Sequence, residues 1–300
     1  MQCSRTTPIQ GSNNVMTHQE SSFTNPNGKH IFTQSWLPDA QIKAVVVIVH
    51  GLGEHSSRYQ ALVEQLISID SAVYSLDHPG HGRSEGKRVY IEDFNEFIDT
   101  LDLLIDQIKA QHPQLPLYLI GHSMGGLISA SYLLKHQDKL AGAILSAPAI
   151  QPPANLSPLL IKLGKYIAAL APKLPAVALD IQGVSRDPQV VAQYQADPLN
   201  HTGLITAGLS RQIQVAMEIL AQQAHTIIIP LLILQGTADR LVNPEGAHFF
   251  KQHIASQDKE LKIYDGLYHE LFNEPEKDQI FADAIGWLSS QLIKHESAQI

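Results

Sequence analysis

A chain of 300 residues, 44% hydrophobic and 17% charged, has the apolar mass for one sizeable core with an insertion, or for two ordinary domains. Its 21 Lys and Arg against 29 Asp and Glu leave a formal net charge of -8, which argues against a protein that tracks nucleic-acid phosphates or docks electrostatically on anionic lipid; any membrane contact would have to be apolar. The single cysteine, Cys3, excludes an internal disulfide, so the fold does not depend on an oxidising compartment.

Residues 1–28 are rich in Ser, Thr, Asn and Gln and lack the apolar core of a secretory signal, while nothing later approaches the roughly 20 apolar residues of a membrane span. A soluble, cytoplasmic protein is expected, with 1–28 disordered and Met16 an equally good start. From Ile31 onward, short β-branched runs alternate with helical patterns. Ala44–Val49, Ala72–Leu76, Leu117–Ile120, Ala141–Ser146, Ile227–Leu234 and Leu261–Tyr264 all read as buried strands, and uninterrupted apolar strands are the signature of a parallel sheet covered on both faces. Phe94, Phe97, Ile98, Leu101, Leu104, Ile105 and Ile108 recur at helical spacing, which predicts an amphipathic helix over Glu92–Gln111 ended by Pro113. Further helices are predicted near Tyr59–Ile69, Met124–His136, Pro244–His253 and Glu276–Ile293. The order is that of an α/β doubly wound sheet.

The alternation breaks between about Ile150 and Thr226, where Pro152, Pro153, Pro158, Pro172, Pro175 and Pro188 punctuate Leu/Ala/Ile-rich helical pieces. We read 29–149 and 227–300 as the two parts of one sheet domain and 150–226 as a helical cap inserted between them; an irregular set of sheet-covering helices is the plainer alternative.

The strongest local signal is Gly121-His122-Ser123-Met124-Gly125-Gly126, between a predicted strand and a predicted helix. A serine on so tight a turn is strained and exposed, the glycines admit close backbone approach, and the helix start beneath it offers free N–H groups where an oxyanion would form. A serine hydroxyl needs a base. Among 15 histidines, His269 is preferred because it lies in a loop just after the last predicted strand, where the crevice of such a sheet opens. The acid that orients it should follow the preceding strand; Asp239 does, with Asp265 as the competitor. Oxyanion donors are expected from the backbone N–H groups of Met124 and of Leu52, in the His50-Gly51-Leu52-Gly53 loop. Asp77-His78 and His81 invite a metal reading, but no further ligand cluster completes a site, and Pro79, Gly80 and Gly82 suit a loop-shaping turn.

Taken together, the run from His50 to Tyr59, the run from Asp77 to Ser84, Gly121–Gly126, Ser146-Ala147-Pro148 and the run from Tyr268 to Glu274 resemble the monoacylglycerol lipase and lysophospholipase family, grouped with the serine aminopeptidase S33-like hydrolases. The resemblance spans about Ile31 to Leu292. It implies an α/β-hydrolase fold, a triad of Ser123, Asp239 and His269, an oxyanion hole at Leu52 and Met124, and contacts from Glu54 and Arg58 to the glycerol end of the substrate. The family's acyl tunnel and membrane-facing helix lie in the cap, whose Leu156–Leu179 stretch is here Leu/Ile-rich. The leading expectation is hydrolysis of a monoacylglycerol or another single-chain lipid ester through an acyl-enzyme, with no cofactor, no metal, no nucleic-acid partner and transient membrane contact through the cap. A lysophospholipase, a short-chain carboxylesterase, an amide hydrolase and a non-catalytic binding scaffold are the alternatives.

Overall fold

The computed structural model describes residues 5–10, 15–152 and 158–297, with side chains over 16–152 and 164–297. The chain opens with three strands, β1 (Arg5–Gln10), β2 (Val15–Thr24) and β3 (His30–Pro38), followed by β4 (Ala44–Val49), α1 (Gln60–Ile67), β5 (Ser71–Leu76), α2 (Asn95–Gln111), β6 (Leu117–His122), α3 (Met124–His136) and β7 (Gly142–Ser146). It then leaves the sheet for α4 (Pro158–Leu170), β8 (Pro175–Ala178), α5 (Pro188–Ala196), β9 (Leu204–Thr206) and α6 (Ala207–Gln223), and returns through β10 (Leu231–Gly236), α7 (Glu245–His253), β11 (Lys259–Tyr264) and α8 (Lys277–Ser297). Among the described residues the main sheet has nine strands in the order β1-β2-β3-β5-β4-β6-β7-β10-β11. From β5 to β11 every pairing is parallel, whereas β1, β2 and β3 join antiparallel.

The sequence of β4, Ala-Val-Val-Val-Ile-Val, shows why the sheet is covered twice. Val45, Val47 and Val49 pack with side chains of α2, α3 and α7, while Ala44, Val46 and Ile48 pack with those of α1 and α8. Alternate residues of a strand point to opposite faces, so an unbroken apolar run is stable only between two helical layers. Each such valine contributes about 1.5–3 kcal/mol on burial. The stripe on α2 behaves likewise: Phe97, Ile98, Leu101, Leu104, Ile105 and Ile108 are all buried. That helix begins at Asn95 rather than Glu92, where the Asn95 N–H donates to Asp93 Oδ1 at 2.9 Å.

Four expectations need correction. Leu261–Tyr264, expected as a buried strand, lies in β11 with only Tyr264 buried, because β11 is the terminal strand of the sheet and has a neighbour on one side alone. Ile227–Ile229 are not in the strand predicted over Ile227–Leu234; β10 starts at Leu231. Pro230 has no N–H to give a central ladder, and only its carbonyl is used, accepting from Ala143 N–H at 3.0 Å. Within 1–28, expected to be disordered, Val15–Thr24 form β2 and pair along β3. Its composition misleads because this strand lies near the sheet edge, where a single apolar anchor reaches the core on each face, Met16 on one and Phe23 on the other. Met16 and Phe23 are buried, and the His18 ring stacks on Trp36 at 5.0 Å. Residues 1–4, including Cys3, and 11–14 lie outside the described residues. The segment between β7 and β10 holds, besides helices, a two-stranded antiparallel sheet of β8 and β9. Of its Leu-rich stretch, 153–157 and the side chains of 158–163 lie outside the described residues, while Tyr166, Leu170 and Leu174 are exposed. Among the described residues no helix is long and apolar enough to cross a membrane.

Candidate active site

Ser123 stands between β6 and α3 with φ 54° and ψ -118°, a conformation rarely held by a residue with a side chain. Neighbouring backbone holds it there: its N–H donates to Ser146 O at 3.0 Å, and its carbonyl accepts from Leu127 and Ala149 N–H, each at 3.1 Å. The turn is so tight that a Cβ on Gly125 would run into the carbonyl oxygens of Val49 and His50, and one on Gly121 into Ser129 Oγ and Gly125 O. The glycines two residues before and after the serine are therefore steric requirements.

His269, in the loop after β11, meets Asp239, in the loop after β10, at 2.7 Å between Nδ1 and Oδ2. Both side chains are almost wholly buried. Asp239 Oδ1 accepts from the Leu241 and Val242 N–H groups at 2.9 and 3.1 Å, and Oδ2 also accepts from Gln235 Nε2 at 3.1 Å. Burial pushes the Asp239 carboxyl up, but the His269 charge and these hydrogen bonds outweigh it and hold the group below its usual range. For His269, burial pulls down, yet the Asp239 charge and hydrogen bond raise the imidazole above its ordinary value. With the Nδ1 proton held by a carboxylate, the neutral ring presents Nε2 as the basic nitrogen. Asp265 accepts instead from Thr237 Oγ1 at 3.0 Å, in an exposed turn.

Ser123, Asp239 and His269 line one cavity of about 740 Å³, together with Leu52, Met124 and Glu54. No hydrogen bond among the described residues takes up the Leu52 or Met124 N–H. Met124 opens α3, so helix geometry leaves its N–H without an internal acceptor. The Leu52 loop is set by His50, whose Nδ1 donates to Gly51 O at 2.8 Å while Nε2 accepts the His78 N–H at 2.9 Å. Burial lowers the His50 pKa, in keeping with a neutral ring that both donates and accepts. Apolar side chains from the inserted segment complete the cavity, among them Val177, Leu179, Val184, Ile205, Ile213 and Met217.

Glu54 is buried. Its Oε1 accepts from Gly51 N–H and Tyr59 OH, each at 2.6 Å, and its Oε2 from Arg58 Nη1 at 2.6 Å. Arg58 lies outside the cavity lining and forms a bidentate pair with Glu270 at 2.7 and 2.8 Å. The Asp77 carboxylate accepts from Ser56 N–H, Ser56 Oγ and Arg83 N–H, so it braces two loops. His78 and His81 are buried, which pushes both imidazoles down, His81 to about 3. Among the described residues no group of His, Cys, Asp and Glu converges to hold a metal ion.

Three residues at the site were not singled out in the sequence. Gln235 is a polar residue inside the apolar run of β10, a signal that could have been read; Glu270 and Tyr194 carry no local signal and are brought in by the fold.

Residues 40–276 match the family model described as serine aminopeptidase, S33. The chain is 40% identical over 276 residues to a monoacylglycerol lipase of Mycolicibacterium smegmatis, covering 92% of this chain and 99% of that one. It is 33% identical over 272 residues to the human monoglyceride lipase, covering 90% of each. The crystal structure of a Paleococcus ferrophilus monoacylglycerol lipase superposes with a TM-score of 0.79 at 32% identity, covering 87% of this chain and 99% of that one. The chain belongs to the serine aminopeptidase S33 family of α/β-hydrolases, on the branch that carries the monoacylglycerol lipases.

Proposed function

We propose that the protein hydrolyses the carboxylic ester of a monoacylglycerol, or of a similar single-chain lipid, through an acyl-enzyme. The observation that carries this reading is the buried His269–Asp239 pair sharing a largely apolar cavity with a serine held in a strained turn. His269 Nε2 takes the Ser123 proton as Oγ attacks the ester carbonyl. The Leu52 and Met124 N–H groups stabilise the oxyanion, and His269 then returns the proton to the leaving alcohol. Water, activated in turn by His269, releases the fatty acid and restores Ser123. No cofactor enters this sequence.

The apolar walls supplied by the 150–226 segment support its assignment as a cap over an acyl-binding cavity. Burying each methylene contributes about 0.8 kcal/mol, so ten of them outweigh several head-group hydrogen bonds at about 1 kcal/mol each. Chain length is thus expected to govern preference. Tyr166, Leu170 and Leu174, exposed at 60%, 88% and 48%, support transient contact of this cap with a lipid surface, where the substrate resides.

The test is hydrolysis of 2-oleoylglycerol and p-nitrophenyl butyrate by wild type and Ser123→Ala. Turnover of both that disappears in the variant supports the lipid-ester assignment. Butyrate turnover alone reduces the enzyme to a short-chain carboxylesterase, and turnover retained in the variant removes the serine mechanism.

A further inference from the structure

The two loops that make the reaction come from distant strands. The oxyanion loop, 50–58, follows β4, and the His269 loop follows β11, which is four places along the sheet. At about 4.8 Å between neighbouring strands, their ends lie about 19 Å apart. The His269 loop must therefore fold back over the ends of β10, β7 and β6 to reach Ser123, and something must hold it there against the oxyanion loop.

Arg58 spans that junction. Its Nη1 donates to Glu54 Oε2 at 2.6 Å and to Glu270 Oε1 at 2.7 Å, and its Nη2 donates to Glu270 Oε2 at 2.8 Å. On one side, Glu54 Oε1 accepts the Gly51 N–H, one residue before the Leu52 donor. On the other, Glu270 adjoins His269, takes a bond from Asn273 Nδ2 at 2.9 Å, and gives its own N–H to Val184 O at 2.7 Å. The guanidinium lies 4.6 Å from the ring centroid of Tyr194, whose OH donates to Gly53 O at 3.0 Å. The bridge is nearly dry, with side-chain exposures of 12% for Arg58, 4% for Glu54 and 5% for Glu270. The 740 Å³ cavity reaches Glu54 and Glu270 but not the guanidinium, and the void beside Arg58 measures about 10 Å³. That is the room of a single water, far too little for a glycerol group.

We propose that Arg58 is a positioning residue: held between Glu54 and Glu270, its planar fork locks the loop that presents the Leu52 N–H to the loop that presents His269, and it acts on the reaction without touching the substrate. This rests on the serine-hydrolase reading above and departs from the glycerol contact that the family resemblance implies for Arg58. Two carboxylates against one guanidinium also leave a net negative charge near the imidazole. The charged and titratable groups around His269 are Asp239, Glu270 and Glu54, which favour its protonated form, with His122, its ring 4.7 Å away, and Arg58 opposing them. Removing the Glu270 charge should therefore lower the apparent pKa of the base, whereas loss of a merely structural contact would leave it in place.

The experiment compares wild type, Arg58→Lys and Glu270→Gln on 2-oleoylglycerol and on p-nitrophenyl butyrate, which has no glycerol group. Rates are normalised to the fraction of Ser123 labelled by a fluorophosphonate. Expected for both variants is a fall in kcat of about tenfold to a hundredfold, equal on the two substrates, with KM within twofold. For Glu270→Gln, the acid limb of kcat/KM also moves to lower pH. A loss confined to 2-oleoylglycerol and expressed in KM would make Arg58 a head-group contact and overturn the proposal. Wild-type rates on both substrates would overturn it too, as would failure of both variants to fold, which would assign the bridge to folding alone. A wild type active only on the butyrate ester would defeat the lipid assignment while leaving this comparison intact.

Discussion

Replacing Asp239 with Asn exchanges one carboxylate oxygen for an amide NH2, and the surrounding hydrogen bonds dictate where that NH2 must point. The Leu241 and Val242 N–H groups both donate to Oδ1, so an NH2 placed there would face two donors. The amide oxygen must stay on that side, which sends the NH2 toward His269 Nδ1, 2.7 Å away. Gln235 can accept from that NH2 by turning its amide to bring round Oε1, which has no partner at present, at the expense of the bond from Nε2 to Gly236 O at 3.1 Å. His269 Nδ1 must then accept, the ring proton moves to Nε2, and the nitrogen facing the serine can no longer take a proton. A forced tautomer of this kind is worth about 10⁴ in kcat, or about 5.4 kcal/mol of transition-state stabilisation, as in the general serine-triad case. The assay is p-nitrophenyl butyrate hydrolysis between about pH 5 and 9 (the histidine range and about one unit above it), with thermal unfolding as a control. A fall of less than about tenfold in folded protein would refute the reasoning.

Wild-type kcat/KM is expected to rise through an apparent pKa above that of an ordinary histidine, because Asp239 raises His269 and only the neutral ring accepts a proton. The same shift is linked to stability. A histidine raised on folding contributes its full share below the unfolded pKa and loses it as pH climbs through the folded one, so a pH series of melting temperatures should show less of this contribution on the alkaline side. Gly125→Ala should destabilise by about 3 kcal/mol or more, since the new Cβ meets backbone oxygens that no rotamer change can move; chemical denaturation with an unchanged midpoint would contradict this. Met16→Ala should cost about 2–5 kcal/mol if β2 is integral to the sheet, and an unchanged melting temperature would return this strand to the status its composition suggested. Prolonged EDTA treatment should leave the rate on p-nitrophenyl butyrate unchanged, as no step described here uses a metal; a loss restored by a divalent ion would reopen the reading of Asp77, His78 and His81.

Much of this protein was written in local pattern. The central parallel strands could be read because burial on both faces demands long runs of Val, Ile and Leu, and the turn around Ser123 because its steric demands fall on glycines two residues to either side; β11, at the sheet edge, carries Lys259, Glu260 and Lys262 and buries only Tyr264. His269 and Asp239 could be chosen because a doubly wound sheet opens its crevice at strand ends, so place in the strand order substitutes for distance. What escaped the sequence depends on partners remote in the chain. The strand Val15–Thr24 looks polar because an outer strand needs few apolar anchors, here Met16 on one face and Phe23 on the other, and its order comes from pairing with β3 and from the stacking of His18 on Trp36. Nor could the role of Arg58 be read locally. Family pattern suggested a substrate contact, but Glu270 lies 212 residues away along the chain, and only folding the His269 loop back over the sheet closes the ion pairs that occupy the guanidinium.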